Sequence, residues 1–408
     1  KDLLAGTGLV SLPGYSGSRT LSGDTLNATW TPDGAAIVFN ATTNLDDAAH
    51  ARVNFHLHAV GADGGEPVAL TEGAAWSCTG PQFSPDGKHV YCGFSPANQN
   101  VYNHDEIARF RWRDGKALGE PRLLTADFDR SVSGFDISSD GRTVYLTAAD
   151  AGRSRIYAVP SEGGEARPLD PDSRGVYAGV QAAGDRLIAR WESSAVPAEI
   201  VRLDAAGGHQ AVSRFNADRL ADVDLQPFRE FWFESSGGRR VHSWLALPPD
   251  FDESRKYPLV LQIHGGPFAS SMDSQHVRWS ASLLAAPGYV VLMTDYTGSV
   301  GYGADFSRAI GGDPLKTPGQ DLLEAAAAAI EQDLNLSVFP WLGIETGGVR
   351  VGNAPGFSDQ PFAEIEQLGV KVKLLPLLSQ RVEVDTLVLK GLRVSLEKDA
   401  AGKTNWED

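Results

Sequence analysis

Hydrophobic and polar positions alternate with period two through most of residues 1–225, in short runs punctuated by Asp-Gly and Gly-Gly pairs. That period sends successive side chains to opposite faces, so it predicts half-buried β-strands. Three segments share one form. Trp30-Thr31-Pro32-Asp33-Gly34 leads into Ala36–Phe39, Phe83-Ser84-Pro85-Asp86-Gly87 into His89–Tyr91, and Ile137-Ser138-Ser139-Asp140-Gly141 into Thr143–Leu146. Gly184-Asp185 before Arg186–Ala189 is a weaker fourth. Asp-Gly tolerates the positive φ that a tight hairpin needs. Each unit is followed by a second hairpin signal: Phe55–Val60 before Gly64-Gly65, Ile107–Trp112 before Asp114-Gly115, Ile156–Val159 before Gly163-Gly164, and Ile200–Leu203 before Gly207-Gly208. Both hairpins recur in the same order about every 45 to 54 residues, which predicts four-stranded β-propeller blades. A β-sandwich does not require that recurrence. About four blades are visible, with part of a fifth in residues 1–25. Because an open propeller leaves sheet edges bare, the expectation for 1–225 is a partial propeller lacking its first blades.

From Gln226 the pattern changes. Phe231–Phe233 and Val241–Leu247 read as an antiparallel pair around Ser236-Gly237-Gly238, and Pro248-Pro249 ends the second strand. Tyr257–Ile263 is a nearly continuous apolar run, typical of a buried parallel strand, and it stops at His264-Gly265-Gly266-Pro267. A helix across Trp279–Ala286 and a second buried strand, Tyr289–Met293, complete a βαβ order. An Ala-rich helix covers Leu322–Ile330, after which period-two alternation returns.

Composition narrows the function. The 408 residues carry a formal net charge of −16, with no clustered Lys and Arg to neutralise phosphates, which argues against a nucleic-acid partner. Apolar runs such as Ala325–Ile330 fall far short of the roughly 20 residues a membrane helix needs. No signal peptide is visible, and the chain starts at Lys1, so a leader removed or left out is compatible with it. Cys78 and Cys92 flank the Ser84–Gly87 turn. A hairpin there brings them near each other, leaving open a disulfide suited to an oxidising compartment or two small buried apolar residues. His56 and His58 share one face of a strand, as metal ligands can, but no third ligand with suitable spacing accompanies them. No metal or cofactor is expected. Asp46-Asp47 and the acids around Asp127–Asp129 read as solvated loops.

A propeller followed by a strand ending in His264-Gly-Gly-Pro267 resembles the prolyl oligopeptidase family of serine peptidases, particularly its acylaminoacyl and dipeptidyl peptidase branches. Asp295-Tyr-Thr-Gly-Ser-Val-Gly-Tyr-Gly303, Phe306–Pro314 and Asp321 continue the resemblance, which covers residues 1 to about 331. Thr297 stands where many relatives carry Arg. The resemblance implies a β-propeller followed by an α/β-hydrolase domain, here incomplete and expected over 226–332, acting on short peptides. It also implies that His264, Gly265 and Gly266 form part of the oxyanion hole, whose fixed donors stabilise a tetrahedral intermediate; a plain strand-ending turn also needs glycine. The nucleophile of such enzymes sits in Gly-x-Ser-x-Gly, followed later by Asp and His. That pentapeptide does not occur. Gly298-Ser299-Val300-Gly301 has Thr297 at the first glycine position and lies one crossover too early. Ser299 is therefore not expected to be a nucleophile, His264 is too early to be the base, and no catalytic residue is assigned. The chain is expected to be inactive as it stands.

Residues 333–408 differ. Phe339-Pro-Trp-Leu-Gly343, Gly352-Asn-Ala-Pro-Gly-Phe357, Lys373-Leu-Leu-Pro-Leu-Leu378 and Lys403-Thr-Asn-Trp406 resemble the amino-terminal region of AsmA-like envelope proteins. That resemblance implies lipid handling and a bacterial envelope or periplasmic setting, with the cytoplasm as the alternative; an ordinary small β-domain is the plainer reading. The joint near Glu331–Asp333 falls inside what should be one cooperative sheet, without a Gly/Ser/Pro linker. An artefactual or deliberate chimera explains this better than an evolved fusion. Loss of the central strands is expected to expose two apolar edges, with aggregation or local disorder around 258–332.

Overall fold

The computed structural model describes residues 2–20, 23–73, 75–98, 100–203, 208–331, 336–337, 341–373, 384–399 and 402–406. Gly207, the joint residues 332–335, Phe339–Pro340 and Leu374–Leu378, all invoked above, lie outside the described residues. The chain divides into two units, Lys1–Phe251 with Val260–Ala328, and Asp252–Leu259 with Ala329–Asp408.

Among its described residues the first unit contains four antiparallel four-stranded meanders. They run Thr29–Trp30, Ala36–Ala41, His56–Gly61 and Val68–Ala69; then Trp76–Phe83, His89–Pro96, Glu106–Arg113 and Lys116–Leu123. The third is Val132–Ile137, Thr143–Asp150, Arg153–Pro160 and Arg167–Pro168; the fourth is Val176–Ala183, Arg186–Glu192, Glu199–Leu203 and His209–Ala211. One parallel bridge, Ser154 to Val176, joins the last two. Ahead of them lies a short hairpin, Ser18–Thr20 with Gly23–Thr25.

The repeated turn has a common physical cause. In each of the first three meanders a hydroxyl donates to the turn aspartate at 2.6 Å: Thr31 to Asp33, Ser84 to Asp86, Ser138 to Asp140. Each aspartate also accepts an amide two residues on, from Ala35, Lys88 and Arg142. These bonds hold all three carboxyls below the usual Asp pKa, and they close each turn through contacts local in sequence.

Apolar side chains interleave between neighbouring sheets. Val38 and Leu57 of the first meander pack with Cys78, Val90, Cys92, Phe94 and Phe110 of the second. Tyr91 and Ile107 of the second pack with Val144, Leu146 and Val159 of the third. Face-to-face packing of successive sheets is how propeller blades bury their surfaces. Cys78 and Cys92 are disulfide-bonded inside the first of these cores and fully buried. His56 packs edge-on against Trp76 and His58 stacks on Phe39, so both rings serve the core.

After the propeller a sheet is laid down in the order Arg229–Glu234, Arg240–Ala246, Val290–Asp295, Tyr257–Gln262. The Val290–Asp295 strand is buried at every position, consistent with its unbroken apolar run. Helix Ala281–Ala285 is capped by Ser280, whose hydroxyl accepts the Leu283 amide. Helix Lys316–Glu331 follows, and Asp321 sits within it rather than at its start.

In the second unit Tyr257 and Pro258 pair in parallel with Leu336 and Ser337. Strands Trp341–Val351, Ala363–Lys373 and Val384–Lys390 then form an antiparallel meander, with Arg393–Val394 beside Ala363 and Glu364.

Candidate active site

The Tyr257–Gln262 strand delivers its chain end to the loop His264-Gly265-Gly266-Pro267, where the Gly266–Pro267 bond is cis. Gly266 has φ +142°, and a Cβ there would sit 3.2 Å from both Ala269 Cβ and the Phe268 amide, so the turn needs glycine. Gly265 and Gly266 are exposed, while His264 is mostly covered. The loop borders a cleft of about 640 Å³ lined by Val260, Gln262, His264, Gly265, Met272 and Trp279, among others. Ile263, Trp279 and Leu283 expose large apolar surfaces nearby.

His264 is fixed from several sides. Its ring stacks on Tyr296 at 4.5 Å, and the Tyr296 hydroxyl donates to the His264 carbonyl at 2.7 Å. Nε2 lies 3.0 Å from Ser299 Oγ and 3.5 Å from Asp295 Oδ1. A serine, a histidine and an aspartate therefore converge, yet not as a triad. In a triad the acid holds one ring nitrogen and the nucleophile meets the other. Here Ser299 and Asp295 share Nε2, while Nδ1 lies 3.3 Å from the Gly265 carbonyl. Ser299 is fully buried and its hydroxyl donates to the Tyr296 carbonyl at 2.7 Å. Its proton and its access to substrate are both committed elsewhere.

Behind the loop lies a polar network that the sequence did not announce. Asp295, fully buried, accepts the Ser271 amide on Oδ1 at 2.6 Å and the Tyr302 hydroxyl on Oδ2. His242 Nδ1 stands 2.7 Å from the Tyr302 oxygen, and Nε2 is 3.4 Å from Glu230 Oε1, close for an ion pair and loose for a hydrogen bond. Glu230 is paired with Arg153 of the third meander. Its carboxyl is held far below the usual range, first by hydrogen bonding to His242 and then, against desolvation, by Arg153. Burial pushes the Tyr302 phenol well above 10, reinforced by the Asp295 charge. Burial opposes a charge on His242, but Asp295 and Glu230 outweigh it and its pKa is raised.

A second anchor is Asp273, just past the loop. Its carboxylate accepts the Gly175 and Ser194 amides at 3.0 Å and the Ser194 hydroxyl at 2.6 Å, all from the propeller. Its own amide donates to Gly152 O at 2.7 Å. Thr297, the residue that departs from the family pattern, donates its amide and hydroxyl to Asp321 at 2.8 and 2.6 Å. His242 and Glu230 escaped the sequence reading because they lie in strands called by alternation alone. The available signal was a histidine beside Ser243 in the mostly apolar run Val241–Leu247.

Among the described residues no group of three His, Cys, Asp or Glu is placed to hold a metal, and no helix is long and apolar enough to cross a membrane.

Residues 275–362 match the prolyl oligopeptidase family and residues 326–408 match the AsmA family. Dipeptidyl-peptidase 5 of Porphyromonas gingivalis is 26% identical over 342 residues, covering 82% of this chain and 48% of that protein. Dipeptidyl-peptidase 5 of Trichophyton equinum is 30% identical over 268 residues, covering 63% of this chain and 35% of its own length. Among solved structures, the acylaminoacyl peptidase of Pyrococcus horikoshii superposes with a TM-score of 0.59 at 23% identity, over 76% of this chain and 46% of that one. A puromycin hydrolase superposes with a TM-score of 0.56 at 18% identity, over 80% and 58%. The chain spans about half or less of the length of these curated relatives. The fold is that of prolyl oligopeptidase-family peptidases, and the resemblance read from the sequence holds.

Proposed function

From a chain similar to dipeptidyl and acylaminoacyl peptidases of the prolyl oligopeptidase family, we propose a serine-peptidase scaffold shaped for short peptides that does not itself hydrolyse them. In this reading residues 1–225 form the propeller, 226–332 the first part of the hydrolase domain and 333–408 the AsmA-like segment. The exposed glycines of His264-Gly265-Gly266 are the surviving half of an oxyanion hole, facing the adjoining cleft. One observation carries the inactive reading: the hydroxyl beside His264, that of Ser299, is buried and already donates to a backbone carbonyl. A fluorophosphonate probe tests it. No serine should be labelled in the folded protein, and covalent labelling at Ser299 or elsewhere would overturn the reading.

The AsmA-family match favours a second reading, a non-enzymatic envelope module with a lipid-handling segment. The buried Cys78–Cys92 disulfide supports an oxidising setting such as the bacterial periplasm. Lipid co-purifying with the chain and identified by mass spectrometry supports that reading; a lipid-free preparation counts against it. A third reading, a chimera without native function, is tested by independent sequencing of the source DNA across codons 325–340, since reads that stop at the joint establish it.

A further inference from the structure

His242 is placed so that both ring nitrogens face acceptors. The Tyr302 hydroxyl gives its single proton to Asp295, so it presents only lone pairs to His242 Nδ1. Nε2 faces the Glu230 carboxylate, which has no proton to offer. An imidazolium is the form that offers a hydrogen to both acceptors, at hydrogen-bond distance on Nδ1 and at ion-pair distance on Nε2, which makes no hydrogen bond of its own. The groups around it are Glu230 and Trp232 on one neighbouring strand, Asp295 on the other, Tyr302 on the loop beyond, and Gly152 of the propeller. Arg153 reaches it through Glu230, and His264 through Asp295. Two cations, Arg153 and His242, thus balance two carboxylates, Glu230 and Asp295. Removing the His242 proton leaves that enclosure with an excess negative charge and one acceptor facing a bare nitrogen, an arrangement that low dielectric penalises heavily.

The two carboxylates bound to His242 hold different parts of the molecule. Glu230 grips the propeller through Arg153, and Asp295 grips the Ser271 amide. We propose that His242 is a buried imidazolium fastening the 264–271 segment to the propeller, and that alkaline deprotonation releases that segment while Asp273 keeps its own anchor. The functional meaning of that release rests on the oxyanion reading above; the fastening does not. Histidines gaining acidic partners contribute stability that is complete below the unfolded pKa of about 6.5. It is lost as pH rises through the raised folded value. The Tyr302 phenol stays protonated across this range, so His242 is the group that changes.

Nitrogen-15 spectra of histidine-labelled protein read the proton count directly. At pH about 7, where an ordinary histidine is mostly neutral, one ring, absent from His242→Gln, should be protonated on both nitrogens. Hydrogen–deuterium exchange over 264–271, corrected for intrinsic rates, should lose protection by up to about tenfold per pH unit between the open-state pKa of about 6.5 and the raised folded value, and level off above it, by linkage. In His242→Gln that protection should be low and independent of pH. Should His242→Gln fail to fold, Tyr302→Phe removes the acceptor at Nδ1 and should lower the pH at which the wild-type loop opens. A neutral His242 at pH about 7, or protection that stays flat between the open-state pKa and the folded value, would overturn the proposal. Serine labelling by a fluorophosphonate would overturn the inactive reading and leave these two measurements untouched.

Discussion

The contact most exposed to a decisive measurement is Asp273, through which the propeller holds the segment after the glycine loop. Its carboxylate is buried and takes three hydrogen bonds from Gly175 and Ser194. Asp273→Ala takes the acceptor away from two amides and a hydroxyl. Hydrogen bonds to a charged acceptor contribute about 1.5 to 3 kcal/mol each, so three set a gross loss of roughly 5 kcal/mol or more. Removing a buried charge also recovers its desolvation cost, which offsets part of that loss. A net destabilisation of about 3 kcal/mol is expected. Urea unfolding followed by tryptophan fluorescence measures it, because Trp191 and Trp244 line the same interface cavity as Asp273. Asp273→Asn keeps an acceptor for Ser194 but turns an amide N–H₂ toward the Gly175 amide, so it should fall between wild type and alanine. An alanine variant within about 1 kcal/mol of wild type would refute the reasoning, since the three bonds would then contribute no more than one ordinary bond.

Three further outcomes follow from the same geometry. Replacing both Cys78 and Cys92 with alanine opens a link of sequence separation 14, which should cost about 3 kcal/mol of stability in denaturant titration; thiol titration of the native chain should find no free cysteine. Gly152→Ala places a Cβ 2.6 Å from Trp244 Nε1 and 2.7 Å from His242 Cε1 at φ +68°, so a loss of roughly 2 to 3 kcal/mol is expected. Arg153→Met removes a cation that helps hold the Glu230 carboxyl down. A depressed carboxyl gives stability that is present above its ordinary pKa and lost as pH falls through the folded value. Circular dichroism should therefore show this variant unfolding at a higher pH than wild type on the acid side.

The meanders were legible because their information is local. Thr31 with Asp33, Ser84 with Asp86 and Ser138 with Asp140 close their turns within a few residues, and the alternating runs on either side need only a face to bury. Strand positions from Ala36 to Leu203 accordingly fall where the hairpin signals put them. The glycine loop was legible for a similar reason: Gly266 requires a backbone region closed to other residues, and a strand ending there is a strong signal. The disulfide was only half legible, because pairing depends on how far the hairpin bulges between Thr79 and Gln82.

The charged network was not legible, and the cause is physical. Arg153, Glu230, His242 and Asp295 come from four separate strands, and each looks unremarkable in its own window. Glu230 is the second residue of its strand, beside charged Arg229, and His242 sits in a strand that is buried from Val241 onward. Their meaning arises only when strands Arg240–Ala246 and Val290–Asp295 pair and bring His242 opposite Asp295. That register also explains why Ser299 misleads. A serine after a buried strand beside a histidine imitates a nucleophile in outline, but a hydrolytic serine must be reachable and must hand its proton to a base. Ser299 gives its proton to Tyr296 O and lies fully covered, so its contact with His264 helps fix the loop instead of activating an attack. The chemistry visible in this chain is thus concentrated in holding a backbone turn at a set angle to a cleft, with buried charge supplying the rigidity.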